Sequence, residues 1–235
     1  MISFIVPAYN EEQELPSTIA AILQAAKKAD RQYEIIVVDD ASTDATAEIA
    51  KQSGAQVVWI SRRQIAAARN AGARVAHGGI LFFVDADTRI SAGHVIDAMA
   101  RLEEGCAGGS ARVMTDGVIP LWGRIFLRAF CTIYFALNLG AGAFLFTTRR
   151  NFDAIGGFDE QLFIGEEIYF SLALRKVGRF KVLREPIVTS GRKLRMYSAR
   201  EILRNSFSAV IRGPRAARSR DRLRLWYDGR RENAG

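Results

Sequence analysis

The sequence contains few of the residues that hold transition metals or form disulfides. Its 235 residues include two cysteines, Cys106 and Cys131, and two histidines, His77 and His94. Neither pair has the spacing of zinc ligands and the cysteines do not form a redox motif, so a structural zinc site is not expected. Such cysteine usage fits a reducing compartment, and we predict a cytoplasmic protein. His77 precedes a predicted strand and is expected on the surface.

Several signatures of nucleotide-dependent enzymes and hydrolases are also missing. The sequence has no GxxxxGK[ST] phosphate loop and no GxSxG nucleophile elbow. The stretch 140-GAGAFL-145 lacks the third glycine of GxGxxG, and it precedes a predicted strand instead of following one. A hydrolase or a dehydrogenase is therefore poorly supported.

The composition combines an ordinary globular balance with an excess of positive charge. Hydrophobic residues make up 49% of the chain, and 33 Lys and Arg against 25 Asp and Glu give a net charge of +8. The length suits one large α/β domain or two small ones. The basic balance indicates an anionic partner, such as nucleic acid, a nucleotide or an acidic membrane surface. Residues 212–231 are especially rich in arginine.

The first ninety residues alternate short apolar runs with helical patterns. Strands are predicted at residues 2–6, 34–38, 56–60 and 80–84, and helices at 11–29, from a cap at 42–44 to about 53, and at 65–76. This order predicts a mostly parallel sheet with helices on both faces. Ligands of such sheets bind beyond the carboxyl ends of the strands.

Paired acids follow two of these strands. The run 34-EIIVVDDASTD-44 contains Asp39 and Asp40, and 81-LFFVDADTRI-90 contains Asp85 and Asp87. Neighbouring carboxylates repel each other unless a cation or hydrogen bonds hold them, and Mg²⁺ binds one or two carboxylates together with substrate phosphates. We therefore expect one crevice with a metal and phosphate site. The alternative is that these acids are ordinary loop residues, one of them capping a turn.

The second half contains a long apolar segment followed by a turn and a helix. Residues 122–139 carry only two charges, Arg124 and Arg128, and a strand is predicted at 141–148. A turn at GGFDE and an amphipathic helix at 166–177 follow. Residues 125–146 are long enough to span a bilayer, although Arg128 and two glycines argue against a span. A helix lying on the membrane and a buried helix of a soluble enzyme remain as alternatives.

Six motifs in series resemble the family 2 glycosyltransferases. They are PAYNEE (7–12), VVDDASTD (37–44), ARNAG (68–72), VDADT (84–88), GGFDE (156–160) and GEE (165–167) followed by LALRKVGR (172–179). The resemblance covers residues 2–185 and implies the GT-A fold, a Rossmann-like α/β architecture. It also implies inverting transfer of a sugar from a nucleotide diphosphate sugar, expected to be a UDP-sugar, to a hydroxyl acceptor.

The resemblance divides the chain into two predicted regions. Residues 1–191 would form the GT-A domain, with a nucleotide-binding half at 1–90 and an acceptor half at 91–191. Residues 192–235 would form a basic C-terminal extension.

The resemblance assigns donor binding to the first half. The residues expected to contact the nucleotide are Pro7, Ala8, Tyr9, Glu11, Asp39, Asp40, Arg69, Asp85 and Ala86. Among them, Asp40 would accept a hydrogen bond from the base and Arg69 would reach the diphosphate or the base side, unless Arg69 only forms an ion pair on a helix surface. Asp87 would bind a divalent cation, Mg or Mn, that bridges the two phosphates. Asp159 and Glu160 are expected near the acceptor or the donor sugar.

The resemblance also implies a carboxylate general base at the start of a helix. Glu167 is the candidate and Glu166 the fallback. The family more often has Asp at this position, and the extra methylene moves the carboxylate by about one bond length. The alternative is that both glutamates merely favour a helix N-terminus.

A second departure concerns the metal, because no histidine follows His94 to act as a further ligand. The cation would then be held by Asp87, phosphate oxygens and water. Arg192 and Lys193 could approach the diphosphate, or they could belong to a solvated basic face.

Other functions and partners are alternatives to a glycosyltransferase. A nucleotidyltransferase would be expected to have a basic glycine-rich loop where 7-PAYNEE-12 is acidic, and a catalytically inactive nucleotide-sugar-binding protein would fit the Glu-for-Asp change. Nucleic acid is not an expected partner, because the arginine-rich stretch has no aromatic and basic platform beyond Trp226 and Tyr227. A lipid-linked acceptor, with peripheral contact at the inner membrane face, would suit the apolar segment and the basic tail.

Overall fold

The computed structural model describes residues 1–196, except for the side chains of residues 126, 127, 129, 130, 133 and 193. The arginine-rich stretch at 212–231 lies outside the described residues, and so do Trp226 and Tyr227. The predicted boundary at residue 191 stays a prediction.

The first half forms the predicted succession of strands and helices. It consists of β1 (Ile2–Ala8), α1 (Leu15–Lys28), β2 (Tyr33–Asp40), α2 (Thr46–Gln52), β3 (Gln56–Ile60), α3 (Ile65–Val75) and β4 (Ile80–Val84). Two starts differ. The N-cap residue of α2 is Ala45 and not one of the predicted residues 42–44, and α1 begins at Leu15 and not at Glu11. The backbone N–H of Glu11 donates to Thr46 Oγ1 at 2.8 Å, which fixes the preceding loop, and Pro16 then suits the first turn of the helix.

The second half contains more elements than the sequence pattern predicted. It consists of β5 (Thr88–Arg89), α4 (Ala92–Glu103), β6 (Cys106–Thr115), α5 (Leu121–Ala136), β7 (Phe144–Thr148), α6 (Arg149–Ile155), α7 (Glu166–Val177), β8 (Arg179–Thr189) and α8 (Arg192–Met196). The bounds of α7 are those predicted. The strand predicted at 141–148 begins three residues later, because residues 141–143 form a loop.

The sheet is mixed but mostly parallel, as predicted. Its order is β3-β2-β1-β4-β7-β6-β8-β5. Strands β1, β2, β3 and β4 pair in parallel, and so do β6 and β8. Strand β7 runs antiparallel to both β4 and β6, and β5 runs antiparallel to β8. The carboxyl ends of β1, β2 and β4 therefore share one edge.

Two hydrophobic cores cover the two faces of the sheet. Alternation along β4 sends Phe82 to one face and Phe83 to the other. Phe82 stacks on Phe4 with ring centroids 5.1 Å apart, and Phe83 meets Phe158 edge-to-face at 5.0 Å. On the second face a Cβ on Gly72 of α3 would overlap Ile5 and Val38 side chains, so this glycine lets α3 lie directly on the sheet.

The two histidines have structural positions. The His77 side chain is 73% exposed, as predicted, and pairs with Glu34 at 3.1 Å. His94 is buried and forms a capping box with Ser91 at the start of α4. Its role at a helix N-terminus is local, so it does not contribute to a metal site.

The apolar segment of the second half is divided among several elements. Helix α5 ends at Ala136, and the strand β7 begins only at Phe144. Among residues 1–196 no helix combines the length and the apolar character needed to cross a bilayer. The span considered for residues 125–146 is therefore not formed.

Candidate active site

The predicted acids meet at the carboxyl edge of the parallel strands. Asp39 and Asp40 end β2, and Asp85 and Asp87 follow β4. The loop after β1 brings Glu11 to the same edge, where it is 8% exposed. The structure thus brings the predicted donor-binding residues together, as the strand order requires.

The Asp40 carboxylate organises the loop that leads into α3. Its Oδ1 accepts the backbone N–H groups of Arg62 and Arg63, and its Oδ2 accepts that of Gln64, each at 2.7 Å. Gln64 is the N-cap residue of α3, and Arg62 and Arg63 are the two loop residues before it. Asp39 Oδ1 accepts the backbone N–H of Ser42 at 3.0 Å and so supports the turn after β2. A carboxylate has about four acceptor positions, so Asp40 keeps capacity for one further donor.

The nearby Tyr9 ring is covered by a cation. The guanidinium carbon of Arg63 lies 3.2 Å from the ring centroid. Pro7 and Ala8 belong to β1 just before Tyr9, and both are buried within the sheet. The edge therefore has an aromatic and cationic surface beside the Asp40 loop.

Arg69 connects the end of β4 to the start of α7. This side chain is 1% exposed, and it donates to Asp85 Oδ1 at 2.9 Å, Glu166 Oε1 at 2.8 Å and the carbonyl of Gly142 at 2.9 Å. The alternative of a helix-surface ion pair is thus wrong for Arg69. Its Nε is buried without a hydrogen-bond partner among the described residues. Because both ends of the guanidinium are bound to acids, Arg69 fixes the distance between two predicted functional segments.

The Asp85 carboxyl has a raised pKa. Burial raises the pKa to about 6; Arg69 opposes the rise and neighbouring Asp87 adds to it. The carbonyl of Ala86, between these two acids, accepts the hydroxyl of Thr18 at 2.8 Å. This bond to α1 fixes the backbone that carries both carboxylates.

The two glutamates of α7 have different environments although they are adjacent. Glu166 is 4% exposed and bound to Arg69. For Glu167, burial and the charge of Glu166 raise the pKa to about 8, and Arg69 opposes the rise. Burial also raises the pKa of the Tyr134 hydroxyl, with Glu167 contributing. A carboxyl with a raised pKa is a stronger base once it is deprotonated. Glu167 therefore has the properties of a general base.

Asp87 contacts the end of β8 and the start of α8. Its Oδ1 accepts the hydroxyl of Thr189 at 3.2 Å, and its Oδ2 lies 3.3 Å from Nη2 of Arg192. Arg192 also forms two bonds with the Glu11 carboxylate, at 2.7 and 2.5 Å. Arg192 is thus part of the crevice, whereas the side chain of Lys193 is not described.

The residues present fit a divalent cation only in part. Among residues 1–196 no group of three or more His, Cys, Asp or Glu side chains could hold a metal ion. Asp85 is paired with Arg69, so Asp87 is the main carboxylate that a cation could use. One carboxylate completed by phosphates and water is a common Mg²⁺ arrangement. The donor set therefore suits a cation that binds together with a diphosphate.

The GGFDE loop is fastened to α3. Asn70 Nδ2 donates to the carbonyl of Phe158 at 2.9 Å and to Glu160 Oε1 at 3.0 Å. Glu160 also lies 3.7 Å from Arg62. Asp159 is exposed and accepts the backbone N–H of Gln161 at 2.9 Å. The structure does not bring Glu160 to Glu167, and the predicted sugar or acceptor role of Asp159 and Glu160 stays a prediction.

Several residues of the crevice were not singled out from the sequence. Arg63, Tyr134 and Gly142 carry no local signal, because each matters only through a partner that is distant in the chain. Asn70 lies inside the ARNAG motif, so the motif pointed to its position but not to its contact with GGFDE.

Comparisons with known proteins agree with this architecture. An uncharacterised glycosyltransferase of Mycobacterium bovis is 36% identical over 104 residues, which are 44% of this chain and 44% of the relative. The undecaprenyl-phosphate 4-deoxy-4-formamido-L-arabinose transferase of Shewanella sediminis is 31% identical over 111 residues, 44% of this chain and 34% of the relative. The chain thus spans less than half the length of these curated relatives.

A solved structure shares the fold over almost the whole chain. Glucosyl-3-phosphoglycerate synthase from Mycobacterium tuberculosis, in complex with Mn²⁺, UDP and glucosyl-3-phosphoglycerate, aligns with a TM-score of 0.61 and 20% identity. The alignment covers 97% of this chain and 80% of that structure. The fold is GT-A, as the sequence motifs implied. The model of glycosyl transferase family 2 matches residues 3–154, more than half of the chain, and the protein therefore belongs to this family.

Proposed function

We propose that the protein transfers a sugar from a nucleoside diphosphate sugar, expected to be a UDP-sugar, to a hydroxyl acceptor with inversion at the anomeric carbon. The observation that carries the proposal is the contrast within α7. Glu166 is bound to Arg69, while burial gives Glu167 a pKa of about 8 at the same edge as Asp85 and Asp87. A carboxyl near this pKa is well matched to removing a proton at neutral or slightly basic pH.

The donor would bind along the carboxyl edge of β1, β2 and β4. Pro7, Ala8, Tyr9 and the Asp40 loop would hold the base and ribose, with Asp39 supporting the turn. The remaining donor contacts, as on the family's motif, would come from Glu11, Arg69, Asp85 and Ala86. Asp87 would hold Mg²⁺ or Mn²⁺, which supplies Lewis-acid stabilisation of the departing diphosphate. A structural neighbour in complex with UDP and Mn²⁺ supports this choice of donor and cation.

Glu167 would act as general base in one displacement. The acceptor hydroxyl forms a bond to the anomeric carbon while the bond from that carbon to the diphosphate oxygen breaks. The hydroxyl proton passes to Glu167, and the nucleoside diphosphate leaves. Attack from the face opposite the leaving group inverts the configuration, and no covalent enzyme intermediate is required.

The acceptor is proposed to be lipid-linked. The Shewanella relative is named as an undecaprenyl-phosphate transferase, which supports this class of acceptor. On α5 the exposed side chains Leu121, Arg124, Ile125 and Arg128 follow one another at helical spacing, and Leu121 and Ile125 are 69% and 63% exposed. An apolar stripe flanked by arginines is typical of a helix that lies on an anionic membrane. We therefore propose peripheral contact at the cytoplasmic face.

The test is turnover with defined donors and a polyprenyl phosphate acceptor. Purified protein would be incubated with UDP-glucose, UDP-N-acetylglucosamine or GDP-mannose, each with Mn²⁺ or Mg²⁺, and released nucleotide would be measured. Proton NMR of the product gives the anomeric configuration, and inversion is expected. Product with retained configuration would refute the mechanism.

A catalytically inactive nucleotide-sugar-binding protein is the second candidate. It is favoured by one observation, since a pKa of about 8 leaves Glu167 mostly protonated at neutral pH. Metal-dependent nucleotide binding without turnover at any pH up to about 9, beyond this pKa, would support the second candidate.

A further inference from the structure

Arg192 joins two acids from different parts of the donor site. Its guanidinium forms two hydrogen bonds with Glu11, at 2.7 and 2.5 Å, and Nη2 lies 3.3 Å from Asp87 Oδ2. The Arg192 side chain is 10% exposed and that of Glu11 is 9% exposed. Bidentate arginine–carboxylate pairs are among the stronger hydrogen-bonded contacts in proteins. The Arg192 guanidinium is therefore held next to Asp87, the carboxylate that is proposed to bind the metal ion.

The chain around Arg192 is fastened to the sheet. Ser190 donates its backbone N–H to the Asp87 carbonyl at 3.1 Å, and Gly191 donates to Asp116 Oδ1 at 3.0 Å. Arg195 donates to the Asp116 carbonyl at 3.2 Å. Burial would raise the pKa of Asp116, but Gly191 and Arg89 hold that pKa below its usual value. Arg192 is therefore delivered to Asp87 by a segment with its own anchor.

Both oxygens of Asp87 have protein partners in this arrangement. Oδ1 accepts from Thr189, and Oδ2 faces the guanidinium of Arg192. An arginine guanidinium is always charged in proteins, so Arg192 remains a cation here. A divalent cation at Oδ2 would have to displace the Arg192 guanidinium or share this oxygen with it, and two cations so close together repel each other. A diphosphate would supply the missing negative charge.

We propose that Arg192 competes with a divalent cation for Asp87, and that the donor diphosphate draws the guanidinium away from this carboxylate. Metal and donor then bind as a coupled pair, each weak alone. The role in donor binding rests on the proposed function, whereas the competition between Arg192 and the metal does not.

The test compares two affinities in the same variant. Mn²⁺ binding is measured by electron paramagnetic resonance in protein without nucleotide, and UDP binding is measured by calorimetry at saturating Mn²⁺. Arg192→Gln is expected to bind Mn²⁺ about tenfold more tightly and UDP about tenfold more weakly, within the usual range of coupling between sites. A residue with a merely structural role would lower both affinities together.

Arg195→Gln is the matched control, because Arg195 lies on the same segment and contacts Asp116 instead of Asp87. Its Mn²⁺ affinity is expected to stay within about twofold of the wild type, well below the coupling expected for Arg192. Arg192→Met, which fills a similar buried volume, serves if the glutamine variant does not fold. Unchanged or weaker Mn²⁺ binding in the folded Arg192 variants would overturn the competition. If the wild type bound no nucleotide while these variants bound Mn²⁺ more tightly, the competition would stand and the donor proposal would fail.

Discussion

Two arginines at the crevice each join a pair of acids, but they do so in different surroundings. Arg69 lies on α3 and is bound to Asp85, Glu166 and a backbone carbonyl, with 1% exposure. Arg192 lies at the start of α8 and is bound to Glu11 and Asp87, with 10% exposure. The first links two elements of the core, whereas the second links the core to the segment that follows β8.

Because of this difference, we expect the charge of Arg69 to be fixed and the charge of Arg192 to be replaceable by a metal ion. Removing Arg69 would leave Glu166, whose side chain is 6% exposed, without its cationic partner. Removing Arg192 would leave Asp87, whose side chain is 19% exposed, open to a metal and water. Glu167 belongs to neither pair; burial raises its pKa, the charge of Glu166 adds to the rise and Arg69 opposes it. We therefore expect variants at these three positions to affect catalysis, folding and donor binding in different proportions.

The largest effect is expected from the acid that neither arginine binds. Glu167→Gln should lower kcat by about 10²–10⁴-fold, because general-base catalysis contributes that much. UDP affinity at saturating Mn²⁺ should change little, since Glu167 is not expected to contact the nucleotide. Single-turnover transfer and calorimetry measure the two quantities. Glu166→Gln is the matched neighbour, and equal kcat losses accompanied by equal stability losses in both variants would contradict the separate roles.

The second effect concerns folding. Arg69→Met should destabilise the protein by about 3–5 kcal/mol, since one partner of a buried ion pair is lost while the other stays charged. Arg192→Met should cost much less. Chemical denaturation measures both. The double variant Arg69→Met with Glu166→Leu should recover part of the loss, because the buried charge of Glu166 is removed as well. Equal destabilisation by the two arginine variants would remove the distinction between them.

Much of the fold was predictable because the first half obeys local rules. The strands of the first half are apolar runs of five to eight residues. In the second half, α7 has the predicted bounds Glu166–Val177. Strand β6 was missed because CAGGSARVMT contains adjacent glycines, which are unusual in strands. Strand β8 contains Pro186, which pairs at an irregular point of the β6–β8 ladder. Such a proline normally argues against a strand.

The acids of the site were predictable and their partners were not. The sequence identifies four acids because they follow predicted strands, namely Asp39, Asp40, Asp85 and Asp87. The Arg69–Glu166 and Arg192–Glu11 contacts join residues 97 and 181 positions apart. No local pattern encodes such pairings, because they depend on the order of strands in the sheet. The likeness to known motifs supplied Arg69 as a candidate but not its burial.

The pH dependence of activity should report the unpaired glutamate. Glu167 must be deprotonated to act, so kcat/KM should rise with pH and level off above about 8, the value to which burial raises its pKa. Glu167→Asp should keep a rising profile with a lower plateau, and Glu167→Gln should lose the dependence. A profile that is flat between pH 6 and pH 9, a range that brackets a pKa of about 8, would rule out Glu167 as the base.

Stability should show the same ionisation with the opposite sign. The pKa of Glu167 is about 4.3 in the unfolded chain and about 8 in the folded protein. The folded state therefore binds more protons between these values, and stability falls as pH rises through this window. Glu167→Gln removes the dependence and should raise Tm by about 2–4 °C above pH 8, but not at pH 4. Thermal unfolding at both pH values measures it, and an equal gain at both would contradict the prediction.

The smallest effect is expected at the α5 surface, which lies outside both arginine pairs. Leu121→Gln and Ile125→Gln should each weaken binding to phosphatidylglycerol vesicles by about fivefold, since each loses roughly 1 kcal/mol of apolar burial. Ile96→Gln is the control, because Ile96 is also an exposed aliphatic side chain, at 48%, but lies on α4. Transfer to a water-soluble acceptor analogue should be unaffected in all three variants. Equal losses in the α4 and α5 variants, or wild-type binding that does not depend on lipid charge, would show that α5 is an ordinary solvated helix. Selective loss in the α5 variants would instead identify α5 as the surface that contacts the membrane.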